Sequence, residues 1–117
     1  MRVGVVVLLR VPGHLVHRLQ PTGVVVRRQG ATRTLELELR NGGNVTEVLP
    51  PGRLTVTLWR GGKMLARFRP PPRELLPRTR AVVELRYRGR GPAVARVELR
   101  GPGPGARTLR RSYRIRL

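Results

Sequence analysis

Apolar and polar residues alternate along most of this chain. A strand with one buried and one solvated face requires that pattern, because its successive side chains point to opposite sides. In residues 34–40, Leu35, Leu37 and Leu39 share one side and Glu36, Glu38 and Arg40 the other. Residues 53–60 set Leu54, Val56 and Leu58 against Arg53, Thr55 and Thr57. Further on, Val83, Leu85 and Tyr87 oppose Glu84, Arg86 and Arg88, while Val97 and Leu99 oppose Arg96, Glu98 and Arg100. The last segment sets Leu109, Tyr113, Ile115 and Leu117 against Arg110, Ser112, Arg114 and Arg116. The alternation predicts a core containing Leu37, Leu39, Val56, Leu58, Val83, Leu85, Val97 and Leu99. Arg111 falls on the apolar side of its segment. It predicts either a bulge that resets the register or, preferably, a site at the end of the fold where the long stem snorkels to water.

Turn signals separate these segments. Gly61 and Gly62 stand alone between two apolar runs, the spacing of a tight hairpin whose positive φ angles glycine adopts without steric cost. Asn41, Gly42, Gly43 and Asn44 end another strand, since Asn and Gly tolerate left-handed backbone and Asn bonds its neighbours' backbone. Pro70, Pro71 and Pro72 offer no ladder N–H, so the strand before them ends at Arg69 and the chain crosses over, with a change of sheet. With residues 3–11 and 23–27 as two further strands, the count is about eight. No long 3.6-residue apolar period or internal repeat is present. The expectation is one all-β domain over residues 1–117, a two-sheet sandwich of about seven to eight strands, with a small barrel as the competing closure.

Composition agrees: 117 residues suit one domain, and 14 Gly with 11 Pro suit frequent turns rather than a helical bundle. Without cysteine there is no disulfide, thiol nucleophile or cysteine-ligated metal site, and the redox compartment is left open. Residues 1–11 have the charged start and apolar run of a signal peptide, but Arg10 interrupts the run early and no small-residue cleavage site follows, so a strand is expected there. The run is also far short of the roughly 20 apolar residues of a spanning helix, so no membrane segment is expected.

A net charge of +19 draws polyanions by Coulomb attraction and counterion release. Lys63 is the only lysine, so 24 of the 25 basic side chains are arginine, and all six acids are glutamate. Codon bias towards arginine offers a second source for part of that charge.

Catalytic groups are sparse. His14 and His17 are spaced as H-x-x-H, but a zinc site needs further ligands and neither Asp nor Cys is present, so no metal is expected. Ser112 is the only serine and lies among Arg110, Arg111 and Arg114 without a nucleophile-elbow glycine pattern. Glu36, Glu38, Glu84 and Glu98 alternate with core residues on arginine-rich faces, which favours cross-strand ion pairs over an acid/base pair. Asn44-Val45-Thr46 fits a glycosylation sequon, with a turn role preferred. Of the aromatics, Phe68, Tyr87 and Tyr113 fall on inward registers, leaving Trp59 as the stacking group for a nucleic acid.

From about residue 32 to 117 the order of features resembles bacterial immunoglobulin-like domains of cell-surface and secreted proteins. The landmarks are the Asn41-Gly42-Gly43-Asn44 turn, a G-x-L-x-V hairpin start at Gly52, Leu75-Leu76-Pro77, a V-x-L-x-Y strand from Val83 to Tyr87, and a glycine-led strand from Gly91. Two positions depart from that pattern: Arg78 stands where a glycine commonly follows the proline, and Val94 where an aromatic often follows the later glycine. The resemblance implies an immunoglobulin-like antiparallel two-sheet β-sandwich, with residues 32–117 as the family-like core. Residues 1–31 are then N-terminal strands, read as the remnant of a longer multi-domain precursor, a fragment or a start site inside a longer frame.

It also implies a non-catalytic, extracellular or cell-surface module without a cofactor. Such a module acts as a spacer or binds anionic wall polymers or acidic partner proteins; with no signal peptide visible, a cytoplasmic location stays open. The alternative is a basic β domain that contacts nucleic-acid phosphates non-specifically. Arg86, Arg88, Arg96, Arg100, Arg110 and Arg114 all lie on polar registers of the last strands and are expected to share one polyanion-contact face.

Overall fold

A computed structural model describes residues 15–101 and 105–117. They form nine strands: β1 (Leu19–Gln29), β2 (Thr32–Asn41), β3 (Glu47–Leu49), β4 (Leu54–Arg60), β5 (Lys63–Phe68), β6 (Arg73–Leu75), β7 (Thr79–Arg88), β8 (Pro92–Arg100) and β9 (Thr108–Arg116). A three-stranded sheet has the order β1-β2-β7, a four-stranded sheet the order β5-β4-β8-β9, and β3 pairs with β6 apart from both. All strand pairs are antiparallel.

The two larger sheets bury their inner faces against each other. Leu35, Leu37, Leu39, Val83 and Leu85 from one meet Leu54, Val56, Leu58, Ala95, Val97 and Leu99 from the other in a single cluster, and all eight core positions expected from alternation are buried. The arrangement is all-β and sandwich-like. At one side β1 runs near β9, where Arg28 Nη2 donates to the Arg116 carbonyl at 3.2 Å.

Local chemistry explains the connections. Gly61 and Gly62 take φ of 56° and 80° and close the β4–β5 hairpin with Arg60 opposite Lys63. The triproline segment carries the chain out of the four-stranded sheet into β6 and then to β7 in the three-stranded sheet, as the missing ladder donors require. Arg111 stays in an unbroken register opposite Val97, near the middle of the edge strand β9, and is exposed, so no bulge resets the register and the long stem reaches water at the sheet's edge rather than at the end of the fold.

The strand expected at residues 3–11 lies outside the described residues. Among the described residues three features differ from the sequence expectation, the first being that β1 extends well beyond 23–27. The short strands β3 and β6 were not anticipated, because three residues are too few to display alternation. Nine described strands therefore replace seven to eight.

Candidate functional site

The six arginines expected on one surface divide between two. Arg96 and Arg100 on β8 and Arg110 and Arg114 on β9 lie on the outer face of the four-stranded sheet, whereas Arg86 and Arg88 on β7 lie on the outer face of the three-stranded sheet, across the core. The single shared face is thus corrected. Register parity fixes the side of a strand on which a residue stands, but not the sheet to which the strand belongs. Between β7 and β8 the chain changes sheet through residues 89–91. Gly91 there has φ 95° and exchanges two backbone hydrogen bonds with Leu117, at 3.0 and 2.8 Å.

Charge is distributed unequally over the two outer faces. On the four-stranded sheet, Arg67 of β5 and Arg116 of β9 join the four arginines above, all exposed, and Glu98 is the one carboxylate among the described residues of that face. Arg110 reaches it at 3.9 Å. On the three-stranded sheet Arg27, Arg40, Arg80, Arg86 and Arg88 are interleaved with Glu36, Glu38 and Glu84. Glu36 accepts from Arg27 at 2.9 Å and Glu38 from Thr22 Oγ1 at 2.6 Å. The four-stranded sheet thus carries the stronger positive field.

Trp59 lies on this basic face. A register shift in the β4–β5 pairing between Leu58 and Trp59 sets the indole opposite Met64. Its Nε1 donates to Thr57 Oγ1 at 2.8 Å, and the Arg96 guanidinium stands 4.8 Å from the ring centroid, a cation–π contact. Thr57 points outward yet is only 8% exposed, so these neighbours cover it. Beside the indole a hollow of about 260 Å³ is lined by Trp59, Gly61, Pro92, Val94, Arg114 and Ile115, among others.

At one end of the sandwich is a buried ion pair that the alternation did not reveal. Glu47 on β3 accepts from Arg53 Nη2 at 2.9 Å and meets His17 Nδ1 at 2.7 Å. Arg53 also donates to the carbonyls of Arg100 and Val48, both at 2.7 Å. His17 belongs to a segment that lies along the Asn/Gly turn: Asn44 Oδ1 accepts from the Val16 N–H at 2.7 Å, Asn44 N–H donates to the Val16 carbonyl, and Gly42 N–H donates to the Arg18 carbonyl. Gly43 permits this approach, since a Cβ there would lie 2.0 Å from the Val16 carbonyl oxygen. Asn41 is fully buried and secures the turn, donating to the Val45 and Leu75 carbonyls while accepting from the Gly43 N–H. A groove of about 520 Å³ opens beside His17, Glu47, Arg53 and Arg100.

The other sequence candidates fall apart in space. His14 lies outside the described residues, and His17 serves the carboxylate. Ser112 is exposed on β9 opposite Arg96. Asn44 is exposed in the turn, and its side chain receives Val16. Glu36 and Glu84 face each other on one sheet while Glu98 stands on the other. Among the described residues no helix is long and apolar enough to cross a membrane. No family model matches the chain, and neither a curated protein nor a solved structure matches it.

Proposed function

We propose that this chain is a non-catalytic immunoglobulin-like module of a cell-surface or secreted protein that holds an anionic wall polymer or an acidic partner on the outer face of its four-stranded sheet. The observation that carries this reading is the asymmetry of charge: Arg67, Arg96, Arg100, Arg110, Arg114 and Arg116 stand exposed there with Glu98 alone against them among the described residues. A field of one sign over one face concentrates an opposite polymer and orients its approach, and guanidinium forks match carboxylate and phosphate oxygens. The immunoglobulin-like assignment is supported by Arg78. It alone among the described non-glycine residues has positive φ, 58°, at the position where similar domains commonly place glycine.

Two charge-matched variants test the reading. One carries Arg96→Gln, Arg100→Gln, Arg110→Gln and Arg114→Gln; the other carries Arg40→Gln, Arg80→Gln, Arg86→Gln and Arg88→Gln on the opposite face. Calorimetric titration with a glycerol-phosphate teichoic acid and with inorganic polyphosphate is expected to show at least about a tenfold loss for the first and a much smaller loss for the second. The thermal transitions of both stay close to the parent's, since such exposed substitutions move stability by within about 0.5 kcal/mol each. Equal losses in the two variants would assign binding to net charge alone and remove the face.

A further inference from the structure

The register across the four-stranded sheet places Met64, Trp59, Val94 and Arg114 in one row, on β5, β4, β8 and β9 in turn. The neighbouring row is Arg67, Thr57, Arg96 and Ser112. A short apolar strip, Met64 to Val94, therefore crosses the basic face, ends on one guanidinium and is flanked by two more. It spans two strand spacings, about 10 Å. Met64 is 43% exposed, and the hollow beside Trp59 continues the strip towards Pro92 and Gly61.

Resting on the reading that this face holds a polyanion, we infer that its ligand is an acidic polysaccharide whose sugar rings carry carboxylates. A polyphosphate chain has no apolar surface to lay on such a strip. A nucleic-acid strand stacks successive bases on successive aromatic rings, and this strip has a single indole beside a thioether and an isopropyl group, which offer no π face. The C–H face of a sugar ring is drawn to the negative face of the indole, and the methionine and valine beside it extend the apolar surface under the next part of the ring. A carboxylate projecting from that ring comes within reach of Arg114 on one side and Arg96 or Arg67 on the other, where planar forks bind it bidentately. Arg96 covers the indole without ligand and is the guanidinium positioned to exchange its cation–π contact for a carboxylate.

Trp59 is the only tryptophan of the chain, so its fluorescence reports on this strip alone. The wild-type protein is titrated with an oligomer of galacturonic acid, its methyl ester, a charge-matched inorganic polyphosphate and a charge-matched oligo-dT. The uronate oligomer is expected to shift the emission and to bind about tenfold more tightly than polyphosphate at equal salt, and the neutral ester to bind weakly. By calorimetry, Trp59→Ala removes that tenfold preference and leaves polyphosphate binding unchanged. Trp59→Leu, which keeps Thr57 covered, gives the same result if the alanine variant melts early. Unaltered uronate binding in both variants, or oligo-dT binding more tightly than uronate, overturns the inference. Polyphosphate binding without a uronate preference overturns it while sparing the polyanion reading, and absence of binding to every polyanion overturns both.

Discussion

Glu47 and Arg53 meet at 2.9 Å with side-chain exposures of 2% and 11%, and neither has polar atoms to spare. Both carboxylate oxygens are engaged, one by Arg53 and one by His17, while the guanidinium spans the carbonyls of Val48 and Arg100. One side chain thereby connects β3, β8 and the buried carboxylate. Removing two charges from water is costly, and complete hydrogen bonding offsets that cost.

The first prediction follows from that completeness. Glu47→Gln leaves the Arg53 charge buried and is expected to lower stability by about 3–5 kcal/mol, read from the urea midpoint. The double variant Glu47→Leu with Arg53→Met removes both charges and should lose less than the single one. A double variant as unstable as the sum of its two singles would show that the pair does not act as a unit.

Gly43 carries the second prediction. Its missing Cβ makes room for the Val16 carbonyl, a backbone atom that cannot rotate away as a side chain would. Gly43→Ala should displace the segment from residue 15 to 18, breaking the Val16–Asn44 and Arg18–Gly42 hydrogen bonds. Amide exchange at Val16, Gly42 and Asn44 is expected to accelerate while that of Leu37 and Val97 in the core changes little. Unchanged exchange at Val16 would refute the seating of this segment on the turn.

Much of the fold was legible because β2, β4, β7 and β8 are long enough to alternate, and their Leu and Val positions are the core. Glu47 was not legible. Its strand has three residues, and it turns the glutamate and Leu49 inward while Val48 stands exposed, the reverse of a polar-out reading. Nor could the sequence divide Arg86 from Arg96, because both obey the same alternation and only the sheet change at residues 89–91 separates them. The indole was expected on the surface, but its place in a row with Met64, Val94 and Arg114 depends on cross-strand register, a long-range property that no local pattern encodes.

Arg78 supplies the third prediction. Left-handed backbone brings a side chain's Cβ close to the following carbonyl, at a cost of about 1–2 kcal/mol for most residues. Glycine avoids that contact but loses more backbone freedom on folding, so part of the gain is offset. Arg78→Gly is expected to raise stability by roughly 0.5–1 kcal/mol, seen as a higher urea midpoint with an unchanged slope. Arg78→Ala keeps the Cβ and should give no such rise, and a rise of equal size in both variants would attribute the effect to lost charge.

The final prediction concerns pH. Tyr113 lies on the inner side of β9 opposite Ala95, packed against the core, and this burial raises its phenol above the ordinary value of 10.0. Arg111, two residues away on the same side of the strand, opposes the shift by favouring the phenolate. The folded chain therefore retains a proton that the unfolded chain releases near pH 10. In that window the unfolded state binds fewer protons, so stability falls as pH rises past 10 and is unaffected by this group below it. Ultraviolet titration of the folded protein should show a phenol ionising later than in the urea-unfolded chain, and Tyr113→Phe should remove that component while Tyr87→Phe leaves it. Arg111→Gln takes away the opposing charge and is expected to move the ionisation higher still. A downward movement in that variant would mean that the Arg111 charge does not favour the phenolate.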